Sequence, residues 1–256
     1  MRAGRRRAAR RVRGALVGIV RRRGIESHVL RALRFLGPRE WRSHLQDAEH
    51  FRLLCAFALR SDSNCIDVGA SRGAALRSAV AFAPHGHHIA YEPVPTVAAQ
   101  LRRDFPGVEV RTAALSDTSG SETFAWVKDL PSRSGLRALY HSSGEVEIIE
   151  VKVARLDDSL PDGYVPALIK IDVEGAERQV LAGALDTITR HKPLIVFEHD
   201  PRSARYYGTH ARDLHELLCE RGGLRIFGLD GSGPFGVAEF ERQVAARRRW
   251  NFLAHE

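Results

Sequence analysis

Three carboxylates and one run of small residues carry the chemistry legible in this chain. Residues 64–73 read N-C-I-D-V-G-A-S-R-G, an apolar stretch that ends at Asp67 and passes into Gly69, Ala70, Ser71 and Gly73. Glycine at 69 and 73 lets the backbone approach a ligand where a Cβ would intrude, as a nucleotide-binding turn at the carboxyl end of a first strand requires. The dinucleotide fingerprint G-x-G-x-x-G would place glycines at 67, 69 and 72, but Asp67 and Arg72 stand at two of these positions. An acid is unfavourable beside a pyrophosphate and favourable beside an ammonium group. The expected ligand is therefore S-adenosylmethionine, whose methionyl end is cationic, rather than a nicotinamide dinucleotide.

Glu92 closes the next apolar stretch, at about the twenty-residue spacing at which an acid accepts ribose hydroxyls. Its alternative is a charge at the start of the helix that follows Pro93. K-I-D-V-E-G-A-E at 170–177 supplies the third acid. Parallel strands point their carboxyl ends one way, so Asp172 is delivered to the sheet edge that holds Asp67 and Glu92. Glu174 and Glu177 read equally well as first-turn acids of the next helix. Glu198-His199-Asp200 repeats the placement after the next strand. His199 titrates near neutrality and is a candidate general base, although a lone histidine is also a common structural residue. Asp172 with Glu198 could seat a divalent ion through oxygen ligands, and His85, His87 and His88 surround Gly86. Neither group is rich enough in ligands for a metal to be expected.

The elements that position these groups alternate regularly. Strands are expected at 65–68, 88–92 and 108–113, with helices at 74–82 and 96–105 between them. Further strands are expected at 122–127, 146–153, 167–171, 194–197, 224–229 and 251–254, and helices at 175–189 and 211–221. Strand and helix in alternation signify an α/β, Rossmann-like, doubly wound and mostly parallel sheet with helices on both faces. Residues 24–60 show three- and four-residue apolar spacing and form a helical N-terminal preface, and 61–256 form the catalytic domain. The stretch 128–144, with Pro131, Gly135 and four serines, is a loop long enough to cover a ligand.

Charge is unevenly distributed. Residues 1–23 hold ten arginines and no acid; without them 29 basic side chains face 31 acidic ones. The segment is a solvated tail or a contact for an anionic membrane surface, and a nucleic-acid partner is disfavoured by the slightly acidic body. No apolar run approaches the ~20 residues of a membrane span, and the apolar residues 14–20 run into Arg21–Arg23 where a signal-peptide cleavage site would stand. Cys55, Cys65 and Cys219 lack C-x-x-C spacing and read as core thiols. A cytoplasmic protein, free or peripheral to the membrane, is expected.

I-D-V-G-A-x-x-G at 66–73, Y-E-P-V-P at 91–95, A-L-S-D-x-x-G at 114–120, L-D-D at 156–158 and I-K-I-D-V-E-G-A-E at 169–177 together resemble the FkbM-type methyltransferases of the class I S-adenosylmethionine-dependent fold. N-F-L-A at 251–254 resembles that family's closing strand. The resemblance implies O-methylation of a hydroxyl on a small metabolite, a sugar or a glycolipid. It implies that Asp67, Gly69, Ser71 and Gly73 line the methionyl side, Glu92 the ribose, and Ala114 and Ser116 the adenine. Asp172 would lie near the transferred methyl, and Ser134-Gly135-Leu136 in a loop facing the acceptor. The chain departs from the pattern at Ser71, where many class I enzymes have glycine, and in its arginine-rich beginning. A nucleic-acid methyltransferase and a non-catalytic cofactor-binding scaffold are the alternatives.

Overall fold

The computed structural model describes residues 39–128, 134–137, 145–247 and 249–256. The arginine-rich segment, the first part of the helical preface and most of the loop 128–144 lie outside them. Contacts group the chain into residues 1–49 and 50–256. Helix α1 (Arg39–Ala58) is followed by β1 (Asn64–Val68), α2 (Ala74–Phe82), β2 (Ile89–Tyr91), α3 (Pro95–Asp104) and β3 (Glu109–Arg111). Next come β4 (Ala114–Leu115), β5 (Gly120–Val127), β6 (Val146–Ala154), β7 (Pro166–Ile171), α4 (Glu177–Ala182), α5 (Leu185–His191) and β8 (Leu194–Glu198). A short α6 (Pro201–Ala204) continues as a 3-10 turn, Arg205–Tyr207. Helix α7 (Ala211–His215) widens into a π-helical stretch, Glu216–Arg221, before β9 (Arg225–Gly228), α8 (Val237–Ala245) and β10 (Asn251–His255).

Seven strands form the main sheet in the order β3-β2-β1-β7-β8-β10-β9. The first five are parallel, and β10 runs antiparallel between β8 and β9. The expected α/β, mostly parallel sheet is thus the observed one. Its central strands are apolar almost throughout, because helices cover both faces. On one face Ile66, Ile169, Ile195 and Phe197 meet Val180 of α4, Leu214 of α7 and Phe240 of α8. On the other, Cys65, Leu168 and Val196 pack on Phe51, Cys55 and Ala79. The direction of winding reverses between β1 and β7, and the crevice outside their carboxyl ends is where such sheets bind ligands.

Three features differ from expectation. The strand expected at 108–113 is β3, shortened to Glu109–Arg111, and just beyond it an unexpected β4, Ala114–Leu115, turns away to pair with Val153 and Ala154 in a separate sheet, β4-β6-β5. The helix expected over 175–189 is broken at Gly183, where a Cβ would stand 2.0 Å from the Ser116 carbonyl oxygen. Asp157, from the L-D-D motif, restarts it as α5 by accepting hydrogen bonds from the Thr187 amide (2.9 Å) and the Asp186 amide (3.2 Å). Helix α8 is an addition to the expected elements; Phe240 and Val244 are its buried positions, four residues apart on one face. Among the described residues no helix is long and apolar enough to cross a membrane.

Candidate functional site

The turn after β1 is held open by backbone conformation. Gly69, Ser71 and Gly73 all have positive φ, at 77°, 46° and 71°. A Cβ on Gly69 would lie 2.0 Å from the Asp172 carbonyl oxygen, and one on Gly73 2.3 Å from the Phe105 ring. Gly69 is therefore required twice, by its dihedral angle and by the approach of the β7 exit. Ser71, the departure from the family pattern, is a non-glycine residue in the left-handed region, a conformation that costs free energy and clusters at ligand sites. The turn is tied to β2 by the Gly69 and Ala70 amides, which donate to the Tyr91 carbonyl (3.0 and 3.1 Å).

Glu92 stands at the exit of β2, 6% exposed. Oε2 accepts from the Ser71 amide and Oε1 from the Val94 amide, both at 2.9 Å. It thereby fastens the glycine turn to the start of α3 and retains lone pairs for further donors. Burial raises its pKa against the effect of those two bonds. Asp67 is 5% exposed. The nearby Leu76 amide favours its charged form, but Oδ2 is buried without a hydrogen-bond partner. Burial pushes its carboxyl up to about 7, with Asp172 and Glu92 adding to the rise and Lys170 opposing it. A buried acceptor with no donor is costly in a resting protein. It is the feature a cationic ligand group would relieve.

Asp172 follows β7, and its amide donates to the Val68 carbonyl (3.0 Å), so the exits of β1 and β7 lie side by side. Lys170 Nζ lies 3.1 Å from Asp172 Oδ2. Burial alone would lower the lysine's pKa, but Asp172, Glu198 and Asp67 together hold it above its usual value. Glu198, at the end of β8, is driven well above the carboxylate range by burial, by the charge of Asp172 and by a hydrogen bond to it. Asp172, 3.1 Å from the Lys170 ammonium, thus disfavours a second negative charge on Glu198. Lys170 had no assigned role in the sequence reading; the signal for it is a cation inside the otherwise apolar strand P-A-L-I-K-I.

The structure separates other candidates. His199 is 1% exposed, with its ring centroid 6.5 Å from that of Phe240 in the layer beneath α8. Strand alternation puts Glu198 on the Lys170 face and His199 on the opposite one. Burial lowers its pKa to about 4. The geometry does not bring His199 to Asp172. Ala114 lies in one apolar cluster with Val94, two residues after Glu92. Ser116 is buried against Gly183 at the end of α4, and its hydroxyl donates to Asp117 (3.2 Å). Glu177, 1% exposed, accepts from the Gly175 amide (3.0 Å) and the Val173 amide (3.3 Å), which closes the turn after Asp172. Burial pushes it up to about 7. His87 contacts Glu109 (2.8 Å) and His88 the Ala83 carbonyl (2.8 Å). Among the described residues no three His, Cys, Asp or Glu side chains are grouped to hold a metal.

The described part of the long loop, 134–137, returns to β5. The Ser134 hydroxyl accepts from the Val127 amide (3.0 Å), and Gly135 exchanges two backbone bonds with Ala125 (2.9 and 3.2 Å). The Arg137 amide then donates to the Tyr207 hydroxyl (3.2 Å).

A family model described as a methyltransferase FkbM domain matches residues 67–223, from Asp67 through the exit of α7. The AMB antimetabolite synthetase AmbE of Pseudomonas aeruginosa is 28% identical over 204 residues, which are 64% of this chain and 10% of that protein. The chain thus spans about a tenth of that relative's length. Among solved structures, a methyltransferase FkbM from Methylobacillus flagellatus superposes with a TM-score of 0.48 at 17% identity, covering 93% of this chain and 60% of the other. A TehB-like methyltransferase from Corynebacterium glutamicum gives 0.43 at 16% identity, covering 80% and 84%. Both structural likenesses are remote, whereas the sequence match takes in the glycine turn, Glu92 and the Asp172 turn in one span. The chain belongs to the FkbM methyltransferase domain family.

Proposed function

We propose that the protein is an S-adenosylmethionine-dependent O-methyltransferase whose acceptor is a hydroxyl of a small metabolite, a sugar or a glycolipid. The observation that carries this reading is the unpartnered, buried Oδ2 of Asp67 beside the glycine turn at the β1/β7 reversal. A methionyl ammonium would satisfy that oxygen, Glu92 would accept from a ribose, and Gly69 and Gly73 leave the room a side chain would fill. The match to part of an antimetabolite synthetase favours a small acceptor over nucleic acid.

When bound, S-adenosylmethionine supplies a methyl already activated by its sulfonium. The protein's remaining tasks are to align an acceptor oxygen and to receive its proton. Asp172 is the candidate base, since the Lys170 ammonium, 3.1 Å from its Oδ2, orients the carboxylate at the sheet edge. His199, buried on the other face, has no part in this proposal.

Calorimetric titration with S-adenosylmethionine tests the first half; failure to bind would sink the reading. For the second half, Asp172→Asn should retain cofactor affinity and lose roughly 10²- to 10⁴-fold in turnover, the usual range for a positioned base. Methyl-labelled cofactor and fractionated extracts provide the assay. Unchanged turnover would move the base elsewhere.

A further inference from the structure

We propose that the acceptor carries an anionic group, a phosphate or a carboxylate, that is bound by Arg137 and Arg205 at the Tyr206–Tyr207 step; this rests on the methyl-transfer reading above. The step belongs to the wall of the site. Asp200 caps α6 by accepting from the Arg202 amide (2.9 Å). The chain from there to Tyr207 lies against the turn that follows Asp172, since a Cβ on Gly175 would stand 2.6 Å from the Ser203 carbonyl carbon. Burial raises the Tyr207 phenol's pKa, and Glu177, at the start of α4, is close enough to add to the rise. From the opposite side, the loop 134–137 closes onto the same tyrosine through the Arg137 amide. The turn that follows Asp172 and the loop 134–137 thus meet at the segment that ends in Tyr207.

Each ring supports a guanidinium. Arg137 lies over Tyr207 at 5.5 Å from the ring centroid, and Arg205 over Tyr206 at 4.8 Å. Arg205 also donates from Nη2 to the Tyr206 hydroxyl (3.0 Å). Stacking holds the planar group but leaves donor N–H groups for an oxyanion, which is how arginine recognises phosphate and carboxylate. The adjacent Arg202 is different: its Nε and Nη2 each lie 2.8 Å from Asp200 Oδ2. Arg137 and Arg205 form no ion pair among the described residues, and both are exposed. Two uncompensated cations stand at the wall of a site whose floor, at Asp172, Glu174 and Glu177, is acidic. That separation of charge suits a ligand with its reacting hydroxyl at Asp172 and its negative group at the rim.

The test titrates glucose 6-phosphate, glucuronate and glucose into the full chain saturated with S-adenosylhomocysteine, following ligand NMR signals. At least one anionic sugar should bind about tenfold or more tightly than glucose, as charge-assisted contacts to two arginines imply; which one is favoured distinguishes phosphate from carboxylate. R137Q/R205Q should abolish the preference, and Arg190→Gln, on α5, should leave it. The single variants, each expected to lose about threefold, provide the answer if the double variant does not fold. Equal binding or no binding of the three sugars, or a preference that survives in the double variant, would overturn the proposal. Binding of S-adenosylhomocysteine is measured first: its absence defeats the methyl-transfer reading itself, while its presence with no anion preference defeats only this inference.

Discussion

At the carboxyl edge of β1 and β7, charges are buried and only partly compensated, whereas in the three-stranded sheet β4-β6-β5 they stand in water and pair off. Lys128 Nζ reaches Glu145 at 2.6 Å and Glu147 at 3.0 Å, and the Ser121 hydroxyl donates to Glu150 at 2.6 Å, all on exposed positions. The β5–β6 ladder runs unbroken from Gly120 opposite Val153 to Val127 opposite Val146. The β1/β7 edge instead has Gly69, Ser71, Gly73, Glu174 and Gly175 at positive φ, and buried carboxylate oxygens on Asp67 and Glu177 without partners. One region pairs its surface charges and carries the return of the loop 134–137. The other retains unfavourable conformations and unsatisfied charge, as expected where ligand binding rather than folding sets the residue types.

Changes at the edge should therefore have large effects of either sign, and changes in the small sheet almost none. The largest is expected for Gly69→Ala, which combines a disfavoured dihedral with a collision against the Asp172 backbone; a loss of at least ~3 kcal/mol is expected in urea unfolding. Asp67→Asn should raise the dissociation constant for S-adenosylmethionine roughly 100-fold by removing a charge-assisted contact. The same substitution should stabilise the free protein by about 1–3 kcal/mol at neutral pH, since it removes a buried charge while keeping the side chain's shape. A variant that loses both affinity and stability would break the contrast.

The pH dependence sharpens it further. Asp67 is shifted up to about 7, above its unfolded value, so the folded state holds a proton that the unfolded chain releases earlier. Its contribution to stability is fully present below the unfolded pKa and is lost as pH rises toward 7. Cofactor affinity should move the other way, falling up to about tenfold per unit as pH drops below 7, because the ammonium needs the ionised carboxylate. Thermal melts and titrations from pH 5 to 8 on wild type and Asp67→Asn check both slopes, and the variant should flatten each. His199→Phe should leave turnover within about twofold, because its ring lies among Phe240 and the core rather than at the edge. The smallest effect is expected for Lys128→Ala, with no measurable shift in melting temperature.

Much of the edge was legible before any coordinates. Asp67, Glu92 and Asp172 each end an apolar stretch, and parallel strands must deliver such residues to one side. Gly69 and Gly73 were legible because only a close approach or a positive φ calls for glycine at that spacing. His199 marks the limit of that logic: position along a strand is readable, but the face it occupies depends on the register with β7 and β10. Ser116 likewise proved to be packed on Gly183, a contact across 67 residues that no local pattern announces.

The amino-acid sequence by itself determined the alternation of strand and helix, the turn with its acid in place of a glycine, and the family. These depend on short-range periodicity and on steric demands of single residues. Tertiary structure alone decided that Lys170 joins Asp67, Asp172 and Glu198 at one sheet edge, that Arg137 meets Tyr207, and that a short strand after β3 leaves the main sheet for a second one. Those outcomes depend on long-range register and on how buried charges share protons, and both arise only when distant segments exclude water together.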